Sequence, residues 1–388
     1  MNANNLGGII YKERLTQARL LRGMNRQELA KQLGVSRQAV SQYESGMCKP
    51  SPEILFRYQT LLGIPHNFFV NSPLPESDTA LNYRRLKRSS EVEKGIAKTR
   101  IEFMAQIFHY LKNYVNFPEV SLPFYSHEET YYSEGDIEAI ATNVREELRL
   151  GESPIPDMML VAENCGCIVC RYNNTETKEG EVDGCSKIFP LEDDKRPFIT
   201  LMERGCSSAC RERFSMAHEL GHLILHSWAN EEYVKDKENY DRMEREANAF
   251  AGAFLLPMEA FARELRASYG FDTFVLLKAR WKTSIAAMIY RAKEIGLIGE
   301  FQSRYMFKQL SMKGMKRSEP LDGDIQHEEP NTLKSAADLL FENEIVSPNE
   351  MLDKLALPSK EVNEILGFSE ERPLFRMGEI IRIYPQLS

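Results

Sequence analysis

The sequence lacks any apolar run of the roughly 18 to 20 residues that a membrane-spanning helix needs, although 43% of its 388 residues are hydrophobic. The first residues also lack the basic flank, apolar stretch and cleavage site of a secretory signal. These two absences argue against membrane and secreted proteins. We therefore expect a cytoplasmic protein with no membrane partner.

Cysteine is scarce and its count is odd, with seven residues in the chain. Because thiols stay reduced in the cytoplasm, we expect no structural disulfides. Six of them cluster in one segment: Cys165, Cys167, Cys170, Cys185, Cys206 and Cys210. They form a thiolate metal site or redox sensor, or they are buried small hydrophobic residues. The absence of a standard zinc-ribbon spacing favours the second interpretation.

Basic residues are fewer than acidic ones: the chain has 49 Lys and Arg and 57 Asp and Glu, which gives a net charge of −8. That total argues against nucleic-acid binding by the chain as a whole. The distribution is uneven, however, because residues 1–100 contain 16 basic and 8 acidic side chains whereas residues 101–388 contain 33 and 49. The first hundred residues therefore have the charge that suits a polyanion.

Internal repeats and low-complexity tracts are absent, and residue patterns divide the chain into four parts. They are a helical unit (1–70), a basic linker with connecting helices (71–150), a region of short strands and helices (151–300) and a helical region of unknown role (301–388). Short apolar stretches predict three strands, at residues 167–172, 184–189 and 196–202. The predicted fold class is α+β, mostly α, with a small antiparallel sheet.

Residues 25–46, NRQELAKQLGVSRQAVSQYESG, have the pattern of a helix-turn-helix. Asn25 caps a first helix, Gly34 ends it and Ser36 caps a second. Apolar residues between the two helices leave polar side chains on the outer face, where some suit base edges and others suit phosphates. The candidate DNA-contacting residues are Arg26, Gln27, Arg37, Gln38, Ser41, Gln42 and Lys49.

On spacing alone, these helices also suit a protein-interaction domain with a solvated basic face. The segment from about Ile9 to Phe69 resembles an XRE-type, lambda-repressor-like helix-turn-helix domain. The run SRQAVSQYESG matches that family's recognition helix and the turn that follows it. The resemblance implies double-stranded operator DNA as a partner, and it implies a homodimer, since the family usually binds palindromes as dimers.

Three of the seven histidines lie in the stretch FSMAHELGHLILH. In a helix, His218 and His222 are one turn apart on the same face, so both imidazoles can bind one zinc ion. Glu219 is predicted to face the same cavity and to take a proton from a water that the metal activates. A solvated helix face is the other interpretation, but the many apolar neighbours argue against it.

A third metal ligand is expected in the segment EREANAFA, which begins at Glu244. Glu244 and Asn248 are one helical turn apart. This spacing predicts Glu244 as a metal ligand and Asn248 as the hydrogen-bond partner of a ligand histidine. Glu246 is an alternative to Glu244 as the ligand. His226 is a weaker candidate because it lies a further turn along the same helix.

The runs RERFSMAHELGHLILH and EREANAFAGAFLLP are similar to the ImmA/IrrE family of zinc metallopeptidases, over about residues 154–257. The resemblance implies a gluzincin-like fold and Zn²⁺ as the cofactor. Members of that family are paired with, or fused to, XRE-type repressors. In the paired systems the peptidase cleaves the repressor and so derepresses genes.

The two motifs together predict a sequence-specific DNA-binding transcriptional regulator, a repressor, that carries a zinc-dependent metallo-endopeptidase domain. The XRE-type DNA-binding domain is expected at residues 1–70 and the ImmA/IrrE-like metallopeptidase domain at residues 151–300. That domain is expected to cleave a repressor protein or its own chain in response to a signal. Two alternatives are open. The HELGH domain is a zinc-dependent sensor or structural module without peptide cleavage, or the chain is an antitoxin-like autorepressor.

Overall fold

The computed structural model describes residues 9–75, 81–83, 90–125, 131–173, 184–191, 194–203, 208–265, 270–315 and 318–368. The fold class is α+β and mostly α, as predicted. No helix within these ranges combines the length and the apolar character needed to cross a bilayer. Residues 84–88 (RRLKR), the basic part of the linker, lie outside the described residues, as does Cys206.

The helices follow one another along the chain with a small sheet in the middle. They are α1 (Lys12–Leu20), α2 (Arg26–Leu33), α3 (Arg37–Ser45), α4 (Pro52–Leu62), α5 (His66–Val70), α6 (Glu91–Leu111), α7 (Glu134–Glu147), α8 (Met158–Asn164), α9 (Ala209–His226), α10 (Glu231–Lys235), α11 (Lys237–Leu255), α12 (Met258–Leu265), α13 (Phe271–Trp281), α14 (Ile285–Glu294), α15 (Glu300–Met312), α16 (Thr332–Glu342), α17 (Pro348–Leu355) and α18 (Ser359–Ile365). The strands are β1 (Asn82–Tyr83), β2 (Ile168–Asn173), β3 (Gly184–Leu191) and β4 (Asp194–Glu203).

The capping residues predicted for the N-terminal helices are confirmed. The Asn25 side chain accepts backbone hydrogen bonds at the start of α2, and Glu28 completes a capping box. Gly34 ends α2 with a φ of 71°, a left-handed conformation that glycine adopts without strain. Ser36 then caps α3. These local signals set the turn between the two helices, so α3 begins where the sequence places it.

The sheet has the order β1-β3-β4-β2 and is mixed. β3 and β4 form an antiparallel hairpin in which Leu191 lies opposite Asp194, so the predicted antiparallel pairing is confirmed there. The prediction is wrong for β2, which pairs with β4 in parallel, Ile168 opposite Phe198. Because β3 and β4 pair as sequence neighbours, the far edge of β4 is left for β2. Strand alternation gives no signal for the direction in which β2 pairs there.

The sheet separates two hydrophobic cores, because alternate residues of each strand face opposite sides. The first core holds Ile168, Cys170, Tyr172, Cys185, Phe189 and Phe198 together with residues of α1–α6 and α16–α18. The second core holds Val169, Ile188, Ile199 and Leu201 together with residues of α7–α9 and α11–α15. The helix α9 that carries HELGH therefore lies against the second face of the sheet.

The C-terminal helices pack against the DNA-binding end of the chain. Asn71 Nδ2 and Gln106 Nε2 both donate to the backbone oxygen of Leu355, at 2.9 and 2.7 Å. Arg14 of α1 in turn donates to Gln106 Oε1 at 2.8 Å. The four-part division of the chain stays a prediction. In the packing, α16–α18 share a core with the helix-turn-helix and not with the HELGH helix.

Candidate metal centre and candidate nucleic-acid interface

The helices α9 and α11 pack closely where Gly221 of α9 meets α11. A Cβ at this position would lie 3.0 Å from the Phe250 ring and 3.3 Å from the backbone oxygen of Ala247. Glycine allows the two helices to approach to this distance, since any larger residue would force a shift. The approach brings Glu244, near the middle of α11, to the face of α9 that carries the histidines.

Three of the predicted metal-binding side chains come together. His222 Nε2 lies 3.1 Å from His218 Nε2 and 3.2 Å from Glu244 Oε1. His218 Nε2 lies 3.7 Å from the same carboxylate oxygen. The two imidazoles are buried, and the Glu244 side chain is 18% exposed. Two nitrogens and one oxygen thus converge at one point between α9 and α11.

Asn248 lies against the outer side of His218. Its Oδ1 is 3.2 Å from His218 Nδ1, and its Nδ2 donates to the backbone oxygen of Glu244 at 2.7 Å. Because the amide nitrogen is engaged with a carbonyl, Oδ1 faces the imidazole as an acceptor. Asn248 thus turns His218 so that Nε2 points towards Glu244.

His226 and Glu246 lie on the outer side of His222. His226 Nδ1 is 3.0 Å from His222 Nδ1, and His226 Nε2 is 2.8 Å from Glu246 Oε2. His226 therefore contacts both His222 and Glu246, whereas Glu244 joins the converging group with His218 and His222. The sequence proposed His226 and Glu246 only as alternative metal ligands.

Glu219 is completely buried and turned towards the sheet. The hydroxyl of Ser186 on β3 donates to Glu219 Oε2 at 2.7 Å. A Cβ at Gly184, two residues earlier, would lie 3.2 Å from Glu219 Oε1, so a glycine gives the carboxylate room beside the strand. The sequence did not single out Ser186 or Gly184. A glycine inside a predicted strand is the signal that points to such a close approach.

Burial alone would raise the pKa of Glu244, but hydrogen bonds and positive charge from His218 and His222 outweigh it and hold that pKa well below its usual range. The pKa of His226 is lowered by burial, and the nearby His222 and Arg242 lower it further. Burial raises the pKa of Glu246, which the Tyr132 backbone N–H and Arg242 partly offset. Glu244 is therefore a carboxylate and His226 a neutral imidazole at neutral pH.

His218, His222 and Glu244 are the one group of three metal-ligating side chains in the described part of the chain. The cysteines that the structure describes do not form a second one. Cys165, Cys167, Cys170, Cys185 and Cys210 are buried and free. Burial raises the pKa of Cys165 and Cys210 to about 11. For these five cysteines, the interpretation as small hydrophobic residues is confirmed, since protonated buried thiols are unreactive.

The candidate DNA-contacting residues lie on one end of the helix-turn-helix. On α3, Arg37 and Gln38 are exposed, while Ser41 and Gln42 are half-buried. Arg26 and Gln27, which begin α2, and Lys49, which follows α3, are also exposed. The side chains predicted to reach base edges thus share one helix, and the others flank it.

Arg26 differs from the other candidates because it already has an intramolecular partner. Its Nε lies 2.7 Å from Glu44 Oε2, and its side chain is 46% exposed. Glu44 is buried and also accepts two hydrogen bonds from Arg19, at 2.6 and 2.9 Å. Arg26 therefore links the start of α2 to α3, and the rest of its guanidinium faces outward.

Comparison with family models identifies both domains. Residues 15–69 match a family described as helix-turn-helix, and residues 180–293 match a peptidase family described as an IrrE N-terminal-like domain. No curated protein matches the chain. The chain therefore contains one segment that matches a helix-turn-helix family, which supports DNA binding, and a second segment that matches an IrrE-like peptidase family.

Proposed function

We propose that this protein is a sequence-specific transcriptional repressor whose IrrE-like domain is a zinc-dependent metallo-endopeptidase. The domain cleaves a repressor protein or its own chain in response to a signal. The observation that carries the proposal is the convergence of His218, His222 and Glu244. The same chain contains a DNA-binding domain, so the cleavage has a repressor to act on.

The donor set fits zinc. Catalytic zinc sites use three protein ligands and keep a fourth position for water or substrate, whereas structural sites close the shell with a fourth protein ligand. Here two imidazole nitrogens and one carboxylate oxygen converge, and no fourth His, Cys, Asp or Glu of the described residues joins them. Asn248 and His226 face the Nδ1 atoms, which turns both Nε2 atoms inward.

When bound, zinc supplies a Lewis acid that polarises a peptide carbonyl and lowers the pKa of a water molecule towards neutrality. The side chains of the protein do the rest. Glu219 accepts the proton of the attacking water and delivers it to the leaving amine. Ser186 holds the Glu219 carboxylate in place through its hydrogen bond to Oε2.

For operator DNA, α3 enters the major groove. Arg37 is exposed and suits guanine O6 and N7, and Gln38 suits adenine N6 and N7. Lys49 and Arg26 meet phosphates, which fix the register without reading the sequence. Two copies bind as a homodimer to two half-sites. The basic balance of the first hundred residues supports this half of the proposal.

The depth of the centre favours one alternative, a zinc-dependent sensor without peptide cleavage. His218 and Glu219 are 0% exposed. A metal ion needs only a narrow path to such a site, whereas a peptide must lie against it as an extended chain. In the sensor, zinc stabilises the contact between α9 and α11, and Glu219 has no catalytic role.

Replacing Glu219 by Gln separates the two functions. We expect Glu219→Gln to retain one equivalent of zinc and to lose cleavage by at least about 100-fold, because the general base is gone. The measurements are metal content, self-cleavage by mass spectrometry, and cleavage of the repressor encoded by a neighbouring gene. Glu212→Gln is the matched control, since Glu212 is a buried carboxylate on the same helix.

Unchanged cleavage by Glu219→Gln would show that the proposed mechanism is wrong. A zinc-loaded wild type that cleaves neither protein would favour the sensor.

A further inference from the structure

A buried hydrogen-bonded chain leads away from the proposed metal centre. It runs from His222 through His226 to Glu246, with links of 3.0 and 2.8 Å. His226 and Glu246 are 1% and 5% exposed. This hydrogen-bonded chain begins on α9 and ends on α11, so it bridges the same two helices that carry the metal-binding side chains.

The geometry determines which nitrogen carries each proton once a metal ion is bound at the proposed centre. The two ring nitrogens of an imidazole point in different directions. His222 Nε2 faces His218 and Glu244, so when Nε2 binds the metal the hydrogen is on Nδ1, which donates to His226 Nδ1. Neutral His226 then carries its hydrogen on Nε2 and donates to Glu246 Oε2. Every donor in the chain has an acceptor, and the direction of donation is the same throughout.

The Glu246 carboxylate is itself held in place. Its Oε1 accepts the backbone N–H of Tyr132 at 3.4 Å and lies 3.5 Å from Arg242 Nε. The Tyr132 hydroxyl donates to the backbone oxygen of Leu225, beside His226. Glu246, the last residue of the hydrogen-bonded chain, is thus held by α11 and by the segment that leads into α7.

We infer that His226 and Glu246 are positioning residues that orient the His222 ring and set its tautomer for zinc, an inference that rests on the proposed metal centre. Neither residue binds the metal. His226 lies on the side of His222 opposite the converging Nε2 atoms, and Glu246 is engaged with His226. A carboxylate behind an imidazole also makes the ligand nitrogen more basic, which strengthens its bond to zinc.

Asn248 does the corresponding work for His218, but with a neutral amide. The two ligand histidines are therefore held differently, one by an amide and the other by a histidine and a carboxylate. We expect the support of His222 to be the more sensitive to substitution, because it passes through two side chains.

The test uses the full chain, with zinc affinity measured by competition with a chelator and the ligand field measured by the visible spectrum of the cobalt-substituted protein. We expect His226→Leu to weaken zinc binding by about 10 to 100-fold and to change the cobalt spectrum. We expect His226→Asn to recover part of the affinity, because its Oδ1 accepts from His222 Nδ1 where the imidazole nitrogen did.

A double substitution tests whether Glu246 acts through His226. We expect Glu246→Gln to weaken zinc binding less than His226→Leu does, because the amide oxygen still accepts from His226. In the His226→Leu background, Glu246→Gln should have no further effect on zinc affinity, since the hydrogen bonds that link Glu246 to His222 are already lost. The matched control is Glu361→Gln, which changes a buried carboxylate in the other hydrophobic core and should leave zinc affinity unchanged.

The outcomes are distinguishable. A folded wild type that binds no zinc overturns the proposed metal centre. A wild type that binds zinc together with a folded His226→Leu of equal affinity and identical cobalt spectrum overturns the positioning role alone. Fully additive effects of His226→Leu and Glu246→Gln overturn the role of Glu246. If thermal unfolding shows that His226→Leu does not fold, then His226→Asn and Glu246→Gln decide by the same two measurements.

Discussion

The two candidate sites of this protein differ in where their side chains find partners. On α3, Arg37 and Gln38 are exposed and turn towards solvent. On α9, His218 and Glu219 are completely buried, with Asn248 and Ser186 as hydrogen-bond partners. The candidate DNA-binding side chains of α3 thus await partners from a ligand, whereas the side chains of the candidate metal centre are already organised by the protein.

This difference shows what each kind of site requires from the fold. The recognition helix needs a correctly capped pair of helices, which residues close in sequence provide. The metal centre needs two helices held at a fixed distance and rotation, which Gly221 and the sheet behind α9 provide. Substitutions should therefore act locally in the first region and through packing in the second.

The largest effect is expected when both ligand histidines are removed. His218→Ala together with His222→Ala leaves one carboxylate of the donor set, so stoichiometric zinc binding should be lost. Operator affinity should change little, because α9 packs in the other hydrophobic core from the helix-turn-helix. The measurements are zinc content by mass spectrometry and operator binding by fluorescence anisotropy.

Zinc retained by this double variant would contradict the assigned ligand set. Operator affinity that falls together with zinc would break the contrast between the two regions and show that they are coupled across the shared sheet.

An intermediate effect is expected at the DNA-binding surface. Arg37→Ala should weaken operator binding by about 1–3 kcal/mol and relax specificity at one base position, because a bidentate contact to a base is lost. Zinc content should stay the same. The control is Lys31→Ala, an exposed basic residue of α2 outside the predicted contact set. Equal losses for the two variants would indicate non-specific electrostatic binding.

The smallest effect is a pH dependence of the metal-free protein. The folded state keeps His226 neutral because its pKa is lowered, whereas the unfolded chain takes up a proton below about pH 6.5. The free energy of unfolding is therefore at its full value above that pH, where His226 is neutral in both states. It falls by up to about 1.4 kcal/mol per pH unit as the pH drops towards the folded-state pKa.

Urea unfolding at pH 7.5, 6.5 and 5.5 measures this dependence, with His226→Leu as the comparison because it lacks the titrating group. The wild type should lose more stability than the variant between pH 6.5 and 5.5. Identical pH dependence of the two proteins would indicate that the pKa of His226 is the same in the folded and unfolded states, which would contradict the lowered value.

The fold was largely predictable where the signals are local. The strand predicted at residues 184–189 appears as Gly184–Leu191, and the strand predicted at residues 196–202 appears as Asp194–Glu203. The direction of β2 was not predictable, because strand alternation shows which face is buried but not which neighbour a strand pairs with. The packing of α16–α18 against α6 was also not predicted, because helical periodicity shows the buried face of a helix but not the element that covers it.

The candidate site was predictable in part. The i, i+4 spacing placed His218 and His222 on one face, and the same spacing placed Asn248 near Glu244. The partners of Glu246 were not predictable. Met243, Ala247 and Phe250 form the buried stripe of α11, and Glu244 and Glu246 flank it on opposite sides. Each carboxylate therefore contacts a different histidine of α9.

By itself the sequence determined the two domain types, the ends of their helices and the face of α9 that carries the histidines, because capping and helical periodicity act within a few residues of each other. Tertiary structure alone decided that Glu244 meets the two Nε2 atoms, that Glu246 supports His222 through His226, and that Ser186 holds Glu219. These contacts depend on the distance and rotation between packed elements, which are set by the whole core.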